Sequence, residues 1–169
     1  KRRIPCVPWE VKNSAGQLIR PKVSDFYRIA FRAMIGSSAE RTLIGSIIPP
    51  NLGHINGVQS SAFKSGLMLL DVTALTSSVV ADFYVKSTGR SNLHGIWKTL
   101  PYLTAKSTTE NINSLRVRSL LLNCLTTHYS YLWSECWQKS FKQQRWAKSD
   151  PRLPDEFFSS LTPEWQRDC

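Results

Sequence analysis

Three polar loops of the chain carry the side chains that proteins use to contact nucleic acid. They read "GSSAER" (36–41), "NLGHING" (51–57) and "KSTGRSN" (86–92), and each mixes small residues with Arg, Lys, Asn, Ser or His. Such side chains contact DNA phosphates and read base edges, where arginine suits guanine and asparagine or glutamine suits adenine. The pattern alone leaves a second interpretation open, in which these are ordinary solvated loops.

Nine residues are the candidate DNA contacts. Three arginines near the first loop are expected to meet the DNA backbone or guanine, and the remaining residues are expected to meet base edges or nearby phosphates. The densest cluster is the stretch 86–98, which lies just after a predicted helix. The full set is Arg28, Arg32, Arg41, Gln59, Lys86, Arg90, Asn92, His94 and Lys98.

Catalytic and metal-binding patterns are missing from the sequence. The three histidines fall in three different predicted elements, and no serine or cysteine stands in a GxSxG-like turn beside a base. No GxGxxG or GxxxxGK[ST] loop is present to hold a nucleotide phosphate, and no His or Cys pair has metal-ligand spacing. We therefore predict no catalytic residue, metal or cofactor in this segment, and we interpret Cys124 and Cys136 as core thiols.

Charge is the strongest compositional signal. The 169 residues hold 22 Lys and Arg against 12 Asp and Glu, a formal charge of +10 that favours a polyanionic partner such as nucleic acid. An anionic membrane surface would also fit, but no apolar span of about twenty residues is present. Four scattered cysteines suit a reducing compartment, so we expect a cytoplasmic protein. The start at Lys1 rather than Met predicts a segment of a larger protein.

The first half predicts a small, mostly antiparallel sheet. The opening is proline-rich and irregular, with a short strand near Trp9 to Val11. "YRIAFRAMI" (27–35) alternates as a half-buried strand with its arginines on the outer face. "TLIGSIIPP" (42–50) is a second strand, joined to the first by a six-residue connection, and a third strand covers 58–62.

Helices are predicted for most of the rest. Residues 66–85 form one amphipathic helix with Asp71 or Thr73 as an inner cap, and residues 112–141 form one long helix. The buried stripe of the first helix is predicted to be Leu67, Leu70, Leu75, Val79 and Phe83, and the residues by which the chain end wraps on the long helix are Trp146, Phe157, Phe158 and Trp165. The predicted fold class is α/β (α+β), with an α/β domain at 1–105 and a packed C-terminal helical extension at 106–169.

The order of motifs from Phe26 to Leu103 resembles the region beyond the catalytic domain in large adenine-specific DNA methyltransferases. These include single-chain type II restriction-modification enzymes and BREX- and DISARM-like phage-defence methylases. In that family an Arg-rich strand precedes an "ERT…IIPP" strand, a helix ending in "DF", a "SGTHLN"-like loop and an "LP" closure. The matching residues are Arg28, Arg32, Glu40, Arg41, Thr42, Pro49, Pro50, Asp82, Phe83, Ser87, Gly89, Asn92, Leu93, Leu100 and Pro101. The loop "STGRSNLHG" departs from the family pattern by placing Arg and Ser before Asn.

The resemblance implies a target recognition domain, the module that selects the DNA sequence whose adenine the catalytic domain flips out and methylates. It implies double-stranded DNA and the parent chain's catalytic domain as partners, S-adenosylmethionine bound by the parent, and a prokaryotic cytoplasm. Because the sequence has no long apolar span, no membrane partner is expected. The family's catalytic Asn/Asp-Pro-Pro-aromatic tetrapeptide is not matched by "IPPN" (48–51), where the order differs. The alternative is a basic module that docks a partner protein or RNA through its tryptophan-rich C-terminal third.

Overall fold

The computed structural model describes residues 4–36, 38–100 and 109–165, and its contacts divide the chain into two compact units, Lys1–Tyr102 and Leu103–Cys169. Unit 1 and unit 2 are used below for these two ranges. Together they combine helices with small antiparallel sheets, which confirms the predicted mixed α/β fold class. The predicted domain boundary after residue 105 lies outside the described residues.

Unit 1 begins with a two-stranded hairpin. Strand β1 (Val11–Lys12) pairs antiparallel with β2 (Leu18–Ile19). The Asn13 side chain closes the turn, because its Oδ1 accepts the backbone N–H of Ala15 at 3.0 Å and of Gln17 at 2.9 Å. The strand predicted near Trp9 to Val11 is β1, which begins only at Val11, the last residue of the predicted range.

A three-stranded sheet forms the body of unit 1, in the order β4-β3-β5. Strand β3 (Arg28–Arg32) pairs antiparallel with β4 (Gly45–Ile48) and with β5 (Val58–Ala62). The prediction of a third strand over 58–62 is confirmed by β5. The second predicted strand, 42–50, is shorter in the structure, because the N–H groups of Thr42 and Leu43 bond to the carboxylate of Asp82 and not to a strand. The connection between β3 and β4 therefore spans 33–44 instead of the six residues predicted.

The sheet has one buried face, as the alternation in β3 predicts. Ile29, Phe31 and Ile47 are at most 1% exposed, and helix α1 (Gly66–Thr76) packs across β3 and β4. The opposite face carries Arg28 and Arg32. The prediction that both arginines are exposed is wrong for Arg28, which is only 4% exposed because a loop covers it.

The single helix predicted over 66–85 is wrong. The structure has two helices, α1 and α2 (Val79–Ser87), bent by 65° at their junction. Serines cap both: Ser65 Oγ accepts the N–H of Met68, and Ser78 Oγ accepts the N–H of Ala81. The extended backbone of Ser78 stops α1 and starts α2, so the predicted inner caps have no such role.

The break also changes which residues are buried. Val79 and Phe83, predicted as part of one apolar stripe, are 73% and 71% exposed. Leu70 of that stripe is buried as predicted, and Leu69, which the stripe left out, is buried as well. A stripe extrapolated through a 65° bend loses its register. No single helix within the described ranges is long and apolar enough to cross a membrane, and the bent α1–α2 pair meets only the length and composition criteria.

Unit 2 is helical but discontinuous, so the long helix predicted over 112–141 is also wrong. Helix α3 (Thr109–Asn123) and α4 (Ser130–Cys136) are separated by a 3₁₀ turn at Thr127–Tyr129, and a further 3₁₀ turn covers Lys139–Gln143. Thr126 takes an extended conformation (φ −137°, ψ 167°) that interrupts the helical path.

The end of unit 2 packs on α3, as predicted. Trp146 contacts Phe157 and Phe158 with ring centroids 5.1 and 4.8 Å apart, and the guanidinium of Arg118 lies 5.6 Å from the Phe158 ring. The indole N–H of Trp165 donates to the carbonyl of Cys124. Buried positions of Cys124 and Cys136 confirm their interpretation as core thiols.

Candidate nucleic-acid interface

Two predicted base-reading side chains meet in the fold. Nε2 of Gln59, at the start of β5, lies 2.9 Å from Nδ1 of His94, a hydrogen bond in which the amide N–H donates to the unprotonated ring nitrogen. The two residues are far apart in sequence, and His94 is exposed while Gln59 is half-buried. The fold therefore brings together two side chains that are 35 residues apart in the sequence.

Main-chain pairing holds this arrangement in place. The segment 91–93 runs beside the continuation of β3, where Leu93 N–H donates to Ala33 O at 2.8 Å and Ile35 N–H donates to Ser91 O at 3.0 Å. Met34 and Asn92 form an isolated antiparallel bridge. The backbone of Asn92 is thus held beside the end of β3 by the hydrogen bonds of its two neighbours, Ser91 and Leu93.

We call the group Arg32, Gln59, Asn92 and His94 the β3-exit surface, since all four lie at or beside the end of β3. The strand register places the side chains of Arg32 and Gln59 on opposite faces of the sheet at that end. Arg32 is exposed, and its Nε donates to the carbonyl of Met34 at 2.8 Å, which orients the guanidinium. Asn92 Oδ1 is shielded from solvent yet has no hydrogen-bond partner within the described part of the chain. An acceptor of this kind gains free energy from any N–H that reaches it.

Two more cations lie on the same loop and the turn after it. Arg90 and Lys98 are both exposed. Gly89 and Gly95 adopt positive φ of 63° and 78°, a conformation that other residues rarely take, and they bracket the loop at its two ends. These glycines let the loop leave α2, run beside β3 and enter the 3₁₀ turn Ile96–Thr99.

Two predicted contacts are engaged within unit 1 instead. Nζ of Lys86 donates to the carbonyl of Ala39 at 2.9 Å. Arg41 forms an ion pair with Asp82 and donates from Nη2 to the carbonyl of Ser77 at 3.1 Å. Both cations hold the 38–43 segment against the helices. Asp82, to which the sequence patterns assign no role, is the centre of that attachment.

Arg28 is likewise separated from the β3-exit surface. Its Nη1 donates to Ser60 Oγ at 3.2 Å and its Nη2 donates to the carbonyl of Leu52, under the loop that contains His54. Burial lowers the pKa of the Arg28 guanidinium, because desolvation disfavours the charged form. Ser60 and His54 were not predicted to act with Arg28, and only their spatial arrangement reveals it.

No group of three His, Cys, Asp or Glu side chains able to hold a metal ion occurs among residues 4–36, 38–100 and 109–165. In comparisons with known proteins, no family model matches the chain, and neither a curated protein nor a solved structure matches it. The interpretation of the site therefore depends on its residues and geometry.

Proposed function

We propose that unit 1 recognises a specific sequence in double-stranded DNA, as the target recognition part of a larger adenine-specific DNA methyltransferase in restriction-modification or phage defence. The observation that carries the proposal is the contact between Gln59 and His94 beside Asn92. Three side chains suited to base edges lie at one surface, although the sequence separates Gln59 from the other two.

The chemistry of this group fits adenine. Asparagine and glutamine can donate to N7 and accept from the N6 amino group of that base in the major groove. Asn92 Oδ1 has its acceptor capacity unused among the described residues. That oxygen is shielded from solvent in the free protein, so it would meet a base N–H once the side chain turns outward, and Asn92 is the first candidate for direct readout.

Exposed cations supply the phosphate contacts. Arg32 belongs to the β3-exit surface, and Arg90 and Lys98 lie on the neighbouring loop and turn. With a formal charge of +10, the chain has the electrostatic character that drives salt-dependent DNA binding. Arg28, Arg41 and Lys86 are engaged within the protein and are not needed for this surface.

The parent enzyme supplies the reaction. S-adenosylmethionine would donate the methyl group within the catalytic domain of the same parent chain, and this segment would select the adenine to be flipped. We propose no catalytic residue in this segment. A cytoplasmic, prokaryotic setting follows from that role.

The docking alternative depends on the tryptophans of unit 2. Their indole N–H groups mostly bond to backbone carbonyls inside the unit: Trp133 donates to Thr162, and Trp146 donates to Pro154. Trp133 is also buried. These side chains stabilise unit 2 itself, which favours DNA recognition by unit 1 over docking through unit 2.

The test replaces this segment in the full parent enzyme with the corresponding segment of a methyltransferase of different specificity. Methylated sites are then mapped across a genome by sequencing. The proposal expects the sites to change to those of the donor enzyme. A matched control exchanges only residues 109–165, which should leave the sites unchanged. Sites that stay the same after the full exchange would sink the proposal.

A further inference from the structure

A cleft of about 720 Å³ opens on the outer face of the three-stranded sheet, at the end of β3 opposite to the β3-exit surface. Its polar wall includes Arg28, His54 and Ser60, and Lys22 stands at its exposed side. Leu52 and Ile55 supply apolar wall. The volume falls in the range of pockets that hold small ligands, about 300–1,000 Å³.

The unusual feature of this cleft is a buried cation without a counter-ion. Arg28 is 4% exposed, and among the described residues its guanidinium pairs with no carboxylate. Asp25, the carboxylate in the cleft wall, accepts instead from the N–H of Lys22 at 3.0 Å. A buried charge without a partner is costly, and the lowered pKa of Arg28 reflects the same desolvation.

After the hydrogen bonds around Arg28 are assigned, N–H donors of its guanidinium remain unbonded. Arg28 donates to Ser60 Oγ at 3.2 Å, and the Ser60 hydroxyl lies 2.8 Å from His54 Nε2. Nδ1 of His54 lies 3.1 Å from the carbonyl of Ile55, so a neutral imidazole with its proton on Nδ1 satisfies both of these contacts. A guanidinium has five N–H groups. Nε of Arg28 has no partner among the described residues, so this part of the network lacks an acceptor.

We propose that the Arg28 cleft is a binding site for a phosphate-type oxyanion carried on a small, partly apolar molecule. The oxyanion neutralises Arg28 and accepts its remaining N–H groups, and Lys22 contributes charge from the exposed side. The apolar wall takes the body of the ligand. Arg28 and Arg32 stand four residues apart, about 13 Å along a strand, so the cleft and the proposed DNA surface lie toward opposite ends of β3.

The experiment titrates the full 169-residue chain with phenyl phosphate by calorimetry. Phenol, which has the same apolar body without the charge, is the ligand control. Arg28→Met should weaken phenyl phosphate binding by about tenfold or more, as expected for loss of hydrogen bonds to a charged group. Arg145→Met removes an exposed arginine of unit 2 that belongs neither to the cleft wall nor to the β3-exit surface, and it should leave the affinity unchanged. Equal losses in the two variants, or equal binding of phenol, would overturn the proposal.

A second measurement guards against a failure of Arg28→Met to fold. In the wild-type chain, the Nε–H resonance of Arg28 should shift and saturate as phenyl phosphate is added. No shift of that resonance would mean that Arg28 only tethers the loop, and the proposal would fall. A short DNA duplex added afterwards tests the assignment to a small molecule. Retention of phenyl phosphate supports it, and displacement would show that the DNA backbone occupies the cleft and would overturn it.

Discussion

Asp82 of α2 and Arg41 of the β3–β4 connection form an ion pair, with Oδ1 and Nε 3.4 Å apart and without the angle of a hydrogen bond. The same carboxylate oxygen accepts the backbone N–H groups of Thr42 and Leu43 at 2.8 and 2.6 Å. The Asp82 side chain is only 7% exposed, whereas that of Arg41 is 40% exposed. Asp82 therefore acts mainly as the acceptor that fixes the chain before β4.

Replacing this carboxylate should be costly. Asp82→Ala leaves two buried N–H groups without an acceptor, and we expect the free energy of unfolding to fall by about 2–4 kcal/mol. Denaturant unfolding of the chain measures it. Glu40→Ala is the matched control, because Glu40 is an exposed carboxylate next to Arg41 and should change stability by less than about 0.5 kcal/mol. A larger loss of stability for Glu40→Ala would mean that Glu40, and not Asp82, holds this segment through Arg41.

Gly45 is required by close packing rather than by backbone conformation. A Cβ at this position would lie 2.6 and 2.7 Å from two atoms of the Phe31 ring, which is fully buried on the core face. Because an added Cβ would have to displace this buried ring, Gly45→Ala should destabilise unit 1 by about 1–3 kcal/mol.

The control for this prediction is Gly53→Ala, where an added Cβ meets nothing within 4 Å. It should stay near the wild-type stability in the same thermal unfolding measurement. Equal melting temperatures for the two variants would show that Phe31 adjusts without cost.

Strands were predictable because period-two alternation is a local property. The apolar positions Ile29 and Phe31 predict the buried face of β3 from sequence alone. The burial of Arg28 was not predictable, because the loop that covers it comes from residues 51–56, which do not alternate. Whether Arg28 is buried depends on a tertiary contact with that loop, which no local sequence pattern encodes.

Helix ends were harder to predict than helix content. The pair Ser77–Ser78 interrupts an apolar pattern that otherwise continues, and Ser78 serves as the N-cap of a new helix. The candidate site was predictable as a list of residue types. The contact between Gln59 and His94 was not, because it depends on how β5 and the 91–94 segment both pack beside β3.

The Asp150–Arg152 pair offers a prediction about pH. Arg152 donates to the carboxylate from Nε at 2.9 Å and from Nη2 at 2.8 Å, and these bonds hold the pKa of Asp150 below its usual value. A lowered folded-state pKa adds stability above the unfolded value of about 3.9, and that stability is lost as the pH falls through the folded-state pKa.

NMR titration of the Asp150 carboxyl carbon tests this effect. Arg152→Gln should raise the pKa of Asp150 and remove the associated change in stability at acid pH. Lys148→Gln is the control, since it deletes a nearby exposed cation instead of the one bonded to the carboxylate. Arg152 is exposed to solvent and Asp150 is partly exposed, so the effect should shrink at high salt. Equal shifts in the two variants would mean that general charge, not the paired hydrogen bonds, sets the pKa.

Asn92 and Lys98 should differ in how they contribute to DNA binding. Asn92→Ala in the full parent enzyme removes a base contact, so discrimination at one position of the target should fall by about 1–3 kcal/mol. Lys98→Ala removes a phosphate contact, so binding should weaken for all duplexes alike and the slope of log K against log salt should drop by about 1. Fluorescence anisotropy on duplexes with single substitutions separates the two effects. Lys64, an exposed lysine outside the β3-exit surface, provides the charge control. If Lys64→Ala weakens binding as much as Lys98→Ala does, or if Asn92→Ala weakens all duplexes equally, the β3-exit surface does not read DNA sequence.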